Sequence, residues 1–540
     1  MIGVLGVGFS LSSIICSKKV IDVATHVVTG RIEWGLIGLA LLYTGNIILS
    51  ILASKIGVHY QTTLYNRLSL HYFSGILHAE WKAQQMYHSG DIMSRVGTDI
   101  GDIVQLAVRT FPQFLVTLLK LASAIIYLFI LDRRLTLVLM VIIPIVLLVS
   151  KLYFKKMRKL SVLIKESQSV VRQYFQESVQ NAGIAKALHI EDRMKKELVK
   201  KQNDFLAHVL SHNRFHVFSN SVLSFGFATG YLTAFSWGVY QLYGNEITFG
   251  TMTAFLQLVA MIQGPALGLV ASIPAFIAAY TALERLNELE KLPREQADMS
   301  LVQPSFRIEK ITFSDVTFEY ETGRQTLSHA NFVFERGKMT ALVGETGCGK
   351  TTLLNLIPRF YDVTSGSITI DGIDVREMSQ EKLRSLIGYV PQKGVLFSGT
   401  IASNLKFAGD QVSDEMMKEA ADIAQAVDFI EEKEEKYNSP IAQGGTNVSG
   451  GQKQRLSIAR AIAKNPKIFL FDDSFSALDY KTDVALRKKL NERVKDATVL
   501  IVAQRISTIL HADKIIVLEE GRIAGIGTHE ELLAGCETYQ

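Results

Sequence analysis

At 540 residues, with 48% hydrophobic residues and a mean hydropathy of +0.20, the chain is too long for one core and too apolar for an ordinary soluble protein. A net charge of +5 is mild for this length and gives no argument for nucleic acid as a partner. The three cysteines, Cys16, Cys348 and Cys536, are far apart in unrelated contexts and imply no disulfide framework.

The apolar stretch from Met1 to Cys16 has no basic residue ahead of it and no convincing small-residue cleavage site. It reads as a membrane helix that has lost its upstream flank rather than as a cleaved signal. Further apolar stretches lie near 32–58, 104–131, 134–153, 216–243 and 249–273, each long enough for the ~20 residues that a bilayer span takes. With 1–27, weakened by Lys18 and Lys19, the expected count is six, and an even count returns the C-terminal part to the side where the chain began.

The intervals 59–103 and 154–213 turn polar but keep helical periodicity, so the helices are expected to run well past the membrane. The second is crowded with Lys155, Lys156, Arg158, Lys159, Lys165, Arg172, Lys195, Lys196, Lys200 and Lys201, which suits a cytoplasmic face. The short loop Asp132-Arg133-Arg134 runs mildly against that rule. Breaks at His88-Ser89-Gly90-Asp91 and Asn181-Ala182-Gly183-Ile184 read either as plain turns or as short transverse helices.

Tyr43, Asn46, Asn220, Tyr231, Gln257 and Gln263 are polar groups inside apolar stretches and candidates for lining a cavity, though most are more simply interhelical hydrogen bonders. Lys120 lies near the middle of Phe111–Leu131, where an ionisable group is expensive. Two readings stand side by side: a structural pair with a carboxylate on a neighbouring helix, or a cavity cation favouring anionic or amphipathic cargo.

Residues 291–306, with Pro293 and Pro304, read as a linker between a membrane domain at 1–290 and a second domain at 307–540. In that domain Val316-Thr317-Phe318-Glu319-Tyr320 reads as a strand ending in an aromatic residue. The apolar run Thr340–Val343 is followed by Gly344-Glu345-Thr346-Gly347-Cys348-Gly349-Lys350-Thr351-Thr352 and then by helix-spaced Leu353–Ile357. Strand, glycine-rich turn and helix are the context of a phosphate-binding loop, whose N–H groups point inward at an anion. Lys350 would reach the β- and γ-phosphates and the Thr351 hydroxyl would ligate Mg²⁺. That loop must face a reducing compartment that contains ATP.

Val448-Ser449-Gly450-Gly451-Gln452 precedes the helix-forming run Gln454–Ala461 and makes a second anion cradle. Ile468-Phe469-Leu470-Phe471 then reads as a buried strand delivering the Asp472 carboxylate, as a Mg²⁺ site requires, and Ser476-Ala477-Leu478-Asp479 follows.

With these motifs in this order, the second half resembles the nucleotide-binding domain of an ABC transporter, and nearly the whole chain is similar to a half-transporter of the exporter fold. The implied fold is an all-α six-helix transmembrane domain with long cytoplasmic extensions, followed by an α/β P-loop nucleotide-binding domain of ABC type. The implied activity is ATP hydrolysis, with Mg²⁺, coupled to export of small amphipathic compounds from a multi-pass protein of the plasma or inner membrane. The resemblance makes the two breaks coupling helices and Tyr320 the adenine-stacking aromatic. It makes Gln392, in Val390-Pro391-Gln392, the glutamine that senses Mg²⁺ and the attacking water, and Asp479 the D-loop aspartate. Ser449, Gly450, Gly451 and Gln452 become the signature that meets a partner's ATP across a head-to-tail dimer.

Two positions depart from the family. Asp473 stands where the family carries the glutamate that polarises the attacking water, and Gln504 replaces its switch histidine. An aspartate is one methylene shorter, and a misplacement of about 1 Å can cost about 100-fold in rate. Gln504 can donate a hydrogen bond to a γ-phosphate but carries no proton or charge to give. With an intact signature and impaired hydrolytic groups, the expected assembly is a heterodimer whose other half supplies the glutamate and histidine. An active homodimer, a mainly regulatory nucleotide-holding subunit and an importing variant are the alternatives.

Overall fold

The computed structural model describes residues 1–87, 89–295, 308–320, 323, 325–493, 495–503 and 509–540. The chain forms two compact units: residues 1–73 with 89–290, and residues 74–88 with 291–540. The second unit thus takes in a short segment that precedes most of the first.

The first unit is helical. Its long elements are Ile2–Ala24, Ile32–Leu77, Phe111–Leu131, Arg133–Gln180, Glu191–Tyr243 and Phe249–Glu290. At 1.5 Å per residue, the helices of 46, 48 and 53 residues measure roughly 70 to 80 Å, more than twice the ~30 Å hydrocarbon thickness. The polar continuation of the apolar periodicity is the cause. Among the described residues, four helices are long and apolar enough to cross a membrane: Ile2–Ala24, Ile32–Leu77, Gly90–Leu131 and Glu191–Tyr243. The stretches 134–153 and 249–273 lie within Arg133–Gln180 and Phe249–Glu290. Pro265 and Pro274 sit inside the latter helix.

Lys18, which weakened the first stretch in the sequence, donates to the Asp22 carboxylate at 2.9 Å, one helical turn on. Asp22 is 2% exposed, so the helix carries an internal neutral pair rather than a bare cation. Asp132 explains the charged loop at 132–134. One of its oxygens caps the next helix by accepting from the Leu135 N–H at 3.0 Å, and the other accepts from Trp237 Nε1 at 2.8 Å. The core of this unit gathers Ala124, Leu128, Leu135, Ala234, Phe255 and Leu258. By contrast, among the described residues of Ile32–Leu77, Ile76 alone is buried.

The two expected breaks differ in outcome. Ala182–Ala187 is a short helix at the second one. At the first, the short helix comes earlier, at Trp81–Gln85, and Ser89-Gly90-Asp91 instead opens the next helix, Ser89–Ser94. Beyond it the wider, π-helical turn Arg95–Asp99 carries a charge lattice. Arg95 donates to Asp91 and Glu288 at 2.8 and 2.7 Å, and Arg285 donates to Asp91 at 2.9 Å.

The second unit is built on strands β1 (Lys310–Glu319), β2 (Gln325–Glu335), β3 (Met339–Gly344), β4 (Ser365–Ile370), β5 (Ile373–Asp374), β6 (Ile387–Val390), β7 (Gly399–Thr400), β8 (Pro440–Ile441), β9 (Ile468–Asp472), β10 (Thr498–Val502), β11 (Lys514–Glu519) and β12 (Arg522–Gly527). They form a four-stranded antiparallel sheet β2-β1-β4-β5, a six-stranded sheet β12-β11-β3-β10-β9-β6 and the pair β7-β8. In the six-stranded sheet β6, β9, β10, β3 and β11 run parallel, and β12 joins antiparallel. Burial on both faces demands near-continuous apolar strands, which is why β3, β9 and β10 read as apolar runs. Period-two alternation divides them between two cores. Val343, Phe469, Phe471, Val499 and Ile501 face one, and Leu342, Ile468, Leu470, Leu500 and Val502 face the other.

Candidate nucleotide site

The carboxyl ends of β3 and β9 place the two motifs side by side. After β3 the chain turns through Gly344 to Gly349 into the helix Lys350–Leu356. Two of these turns require glycine. Gly344 has φ 146°, and a Cβ there would stand 2.1 Å from the Leu518 carbonyl oxygen; Gly349 has φ 106°, with the Thr326 oxygen at 2.7 Å. Both obstacles are backbone atoms, so neither can swing aside. Gly344→Ala is expected to cost about 3 kcal/mol. A fall in the apparent melting temperature of the full chain, together with lost ATP protection, would be the readout; an unchanged melting curve would contradict it.

Lys350, 8% exposed, curls back over the loop. Its ammonium donates to the carbonyls of Gly344 and Glu345 at 2.8 and 2.7 Å and lies 3.6 Å from Cys348 Sγ. The Thr351 hydroxyl donates to both Asp472 oxygens, at 3.0 and 3.1 Å. Burial pushes the Asp472 carboxyl above its ordinary range, with the neighbouring Asp473 adding to the shift and the Thr351 hydrogen bond opposing it. Tyr389 is half-buried, and burial, with the negative charge of Asp472 adding to it, pushes its phenol up to about 12.

Asp473 takes the left-handed conformation, φ 45°, directly after β9, and is buried. Gln392 donates from Nε2 to its carboxylate at 3.4 Å. The Ser474 hydroxyl donates to the Val390 carbonyl at 2.9 Å, tying the end of β9 to the end of β6. Together Thr346, Gly347, Gly349, Lys350, Thr351, Thr352, Gln392, Asp472 and Asp473 line a cavity of about 200 Å³, with Thr326 and Val502 completing its wall. Gln504 lies outside the described residues.

Tyr320 sits just past β1. Its hydroxyl is 3.1 Å from Thr352 Oγ1, and its ring meets Phe318 and Tyr361 edge-on at 4.8 and 5.4 Å. The sequence reading missed Tyr361, which donates to Gln85 Oε1 at 2.7 Å. Trp81, Tyr320, Phe360 and Tyr361 share one cavity of about 550 Å³. The aromatic pair Phe360-Tyr361 was the available signal, but nothing in it pointed to residues some 280 positions upstream.

The Ser449–Gln452 motif is not among the residues lining the phosphate cavity. Ser449 caps the helix Gly450–Ala463 in a reciprocal box: Gln452 N–H donates to Ser449 Oγ at 3.3 Å, and Ser449 N–H donates to Gln452 Oε1 at 3.1 Å. Ser449 and Gly450 are exposed, so this helix end is open to solvent. Arg455 anchors the next turn by donating to the Gln425 carbonyl at 2.7 Å above the Phe429 ring. Asp479 accepts from the Thr482 N–H and hydroxyl at 3.0 and 2.7 Å, and these bonds hold its carboxyl below the usual range.

Within the first unit, three polar residues of the apolar stretches are interhelical hydrogen bonders. Asn46 donates to Ser10 Oγ at 3.3 Å, Gln257 to Ser17 Oγ at 3.3 Å and Gln263 to the Phe227 carbonyl at 2.9 Å. Tyr43 and Tyr231 are exposed, as is Asn220. Lys120 is half-buried.

Comparison with known proteins bears on both units. Residues 327–476 match the family described as ABC transporter, and residues 1–266 match the ABC transporter transmembrane region. A protein of Staphylococcus aureus strain NCTC 8325, carrying the provisional name of a multidrug export ATP-binding/permease protein, is 34% identical over 453 residues. That alignment spans 84% of this chain and 78% of the relative. Its counterpart from the bovine strain RF122 matches with the same identity and coverage. Among solved structures, a bacterial Atm1-family ABC exporter with ATP bound superposes with a TM-score of 0.84 at 23% identity, over 99% of this chain and 94% of that one, a likeness of fold. The chain belongs to the ABC transporters, as a multi-pass membrane exporter half-transporter with a fused ATP-binding and ATP-hydrolysing domain.

Proposed function

We propose that this chain is the ATP-binding and permease subunit of a heterodimeric exporter of small amphipathic compounds, and that the nucleotide site built on its own Lys350 and Asp472 turns over slowly. The observation that carries the reading is Asp473, a carboxylate one methylene short of the family's glutamate, buried at the end of β9 and 3.4 Å from Gln392. Gln504 in place of the switch histidine supports it from the sequence. The name of the 34%-identical relative supports multidrug-like cargo. In this reading 1–290 is the membrane domain, 291–306 the linker and 307–540 the nucleotide-binding domain on the cytoplasmic side.

On nucleotide arrival, the Lys350 ammonium exchanges the carbonyls of Gly344 and Glu345 for β- and γ-phosphate oxygens. The loop N–H groups orient the phosphates, and Tyr320 stacks on the adenine. Thr351, Asp472 and Gln392 fit a magnesium ion: hydroxyl, carboxylate and amide oxygens are the hard donors it takes, and the first two already lie 3.0 Å apart. When bound, the ion would neutralise charge on the phosphates. Asp473 then has to orient water from a retracted position, with Gln504 able to donate a hydrogen bond but not a charge. The exposed Ser449–Gln452 helix end lies apart from this chain's cavity and is left to complete a partner's site, where the partner supplies glutamate and histidine.

The test is ATPase activity of the purified full-length chain, alone and co-expressed with a second half-transporter bearing Glu and His at the two positions. Near-inactivity alone and turnover in the pair are expected. Robust turnover alone, lost on Asp473→Asn, would establish a working homodimer instead.

A further inference from the structure

We infer that Lys120 is the recognition point for the anionic head of an amphiphilic cargo, an inference that rests on the export reading above. Lys120 lies within the helix Gly90–Leu131, eleven residues after Arg109 and twelve before Asp132, the nearest charged residues on either side. It is therefore roughly 16 and 18 Å along the helix from them, further than a four-carbon stem reaches to water. The side chain is half-buried, between Thr117 and Ala124, which are buried one turn to either side.

An ammonium at that depth needs an anion. Among the described residues no carboxylate lies within ion-pair distance of it. The sequence says why. The six apolar stretches contain two carboxylates, Asp22 and Glu33, each near an end of its stretch, and Asp22 is held by Lys18 at 2.9 Å. A second copy of this chain has the same poverty and could offer nothing better. The nearby hydroxyls of Thr117 and Ser123 donate to their own helix's carbonyls, at 2.7 and 2.9 Å. Exposed Leu118 and Leu119 make the surroundings apolar. A ligand that satisfies such a place carries one anionic group on an apolar body: a fatty-acid, alkyl-sulfonate or alkyl-phosphate chemistry.

The experiment measures binding, so it does not depend on turnover. The full-length chain with its co-expressed partner, in phosphatidylcholine nanodiscs without ATP, is titrated with dansylaminoundecanoate and with a dansyl-undecyl trimethylammonium probe of equal length. Lys120→Met is expected to weaken the anionic probe at least tenfold and to leave the cationic probe unchanged or tighter, while Lys120→Arg restores the anionic affinity. Equal affinity of Lys120→Met and the parent for the anion overturns the inference. Loss of both probes together, or failure of Lys120→Met to assemble while Lys120→Arg assembles, also overturns it, since the lysine would then be paired with a carboxylate of the partner. If the anion binds through Lys120 but no cargo is moved, the export reading fails and the site stands.

Discussion

Ser449→Arg is expected to reduce ATP hydrolysis by the assembled pair to a few per cent, while Asp473→Asn leaves it nearly unchanged. The asymmetry follows from arithmetic. If the retracted carboxylate of Asp473 costs its site about 100-fold, that site carries on the order of 1% of the total flux. Abolishing it altogether is then lost in the error of the assay. Ser449 acts on the other site. Its side chain caps the open Gly450–Ala463 helix, and an arginine there removes the cap and pushes a cation and a long stem into the cradle. Phosphate-release assays of the two variants in the co-purified pair decide it. Equal losses from both substitutions would mean that the two sites share the work.

Lys350→Met is expected to reduce ATP occupancy of this chain by roughly 100-fold or more. The ammonium is a charged donor in a largely buried position, and hydrogen bonds to charged groups contribute about 1.5 to 3 kcal/mol each. Losing two of them to phosphate oxygens accounts for that factor. The substitution also frees the carbonyls of Gly344 and Glu345, so the loop loses its brace in the empty state. Photolabelling of this chain with 8-azido-ATP measures its own site apart from the partner's. Undiminished labelling would show that the loop N–H groups alone hold the phosphates.

Much of the nucleotide site could be read from residues because its constraints are local. The strand Met339–Gly344, the glycine-rich turn and the helix Lys350–Leu356 are adjacent in sequence, and apolar β9 ends on the very carboxylate it positions. Long-range partners left no such trace. No periodicity says that Tyr361 bonds Gln85, or that residues 74–88 group with the C-terminal half, because both depend on how distant segments pack. The first break was read only in part, for a related reason. The short helix Trp81–Gln85 is flanked by turns at His78–Glu80 and Met86–Tyr87, His88 lies outside the described residues, and Gly90, which costs a helix about 1 kcal/mol, sits inside Ser89–Ser94; the earlier turn holds no glycine or proline to mark it. Lys18 weakened the first span as a lone cation, whereas its partner Asp22 sat one turn away in the same stretch.

The lengths of the first unit's helices have a mechanical meaning. A rod of 53 residues is roughly 80 Å long, so tilting it by about 10° around its middle moves each tip by roughly 7 Å in opposite directions. Such a rod carries a displacement of several ångströms at one tip to an equal and opposite one at the other, so events at the two ends of the first unit are mechanically linked. The helix Phe249–Glu290 differs from the 53-residue rod Glu191–Tyr243, which has no proline. Its two internal prolines each remove a backbone hydrogen bond, so it can flex where the proline-free rod pivots.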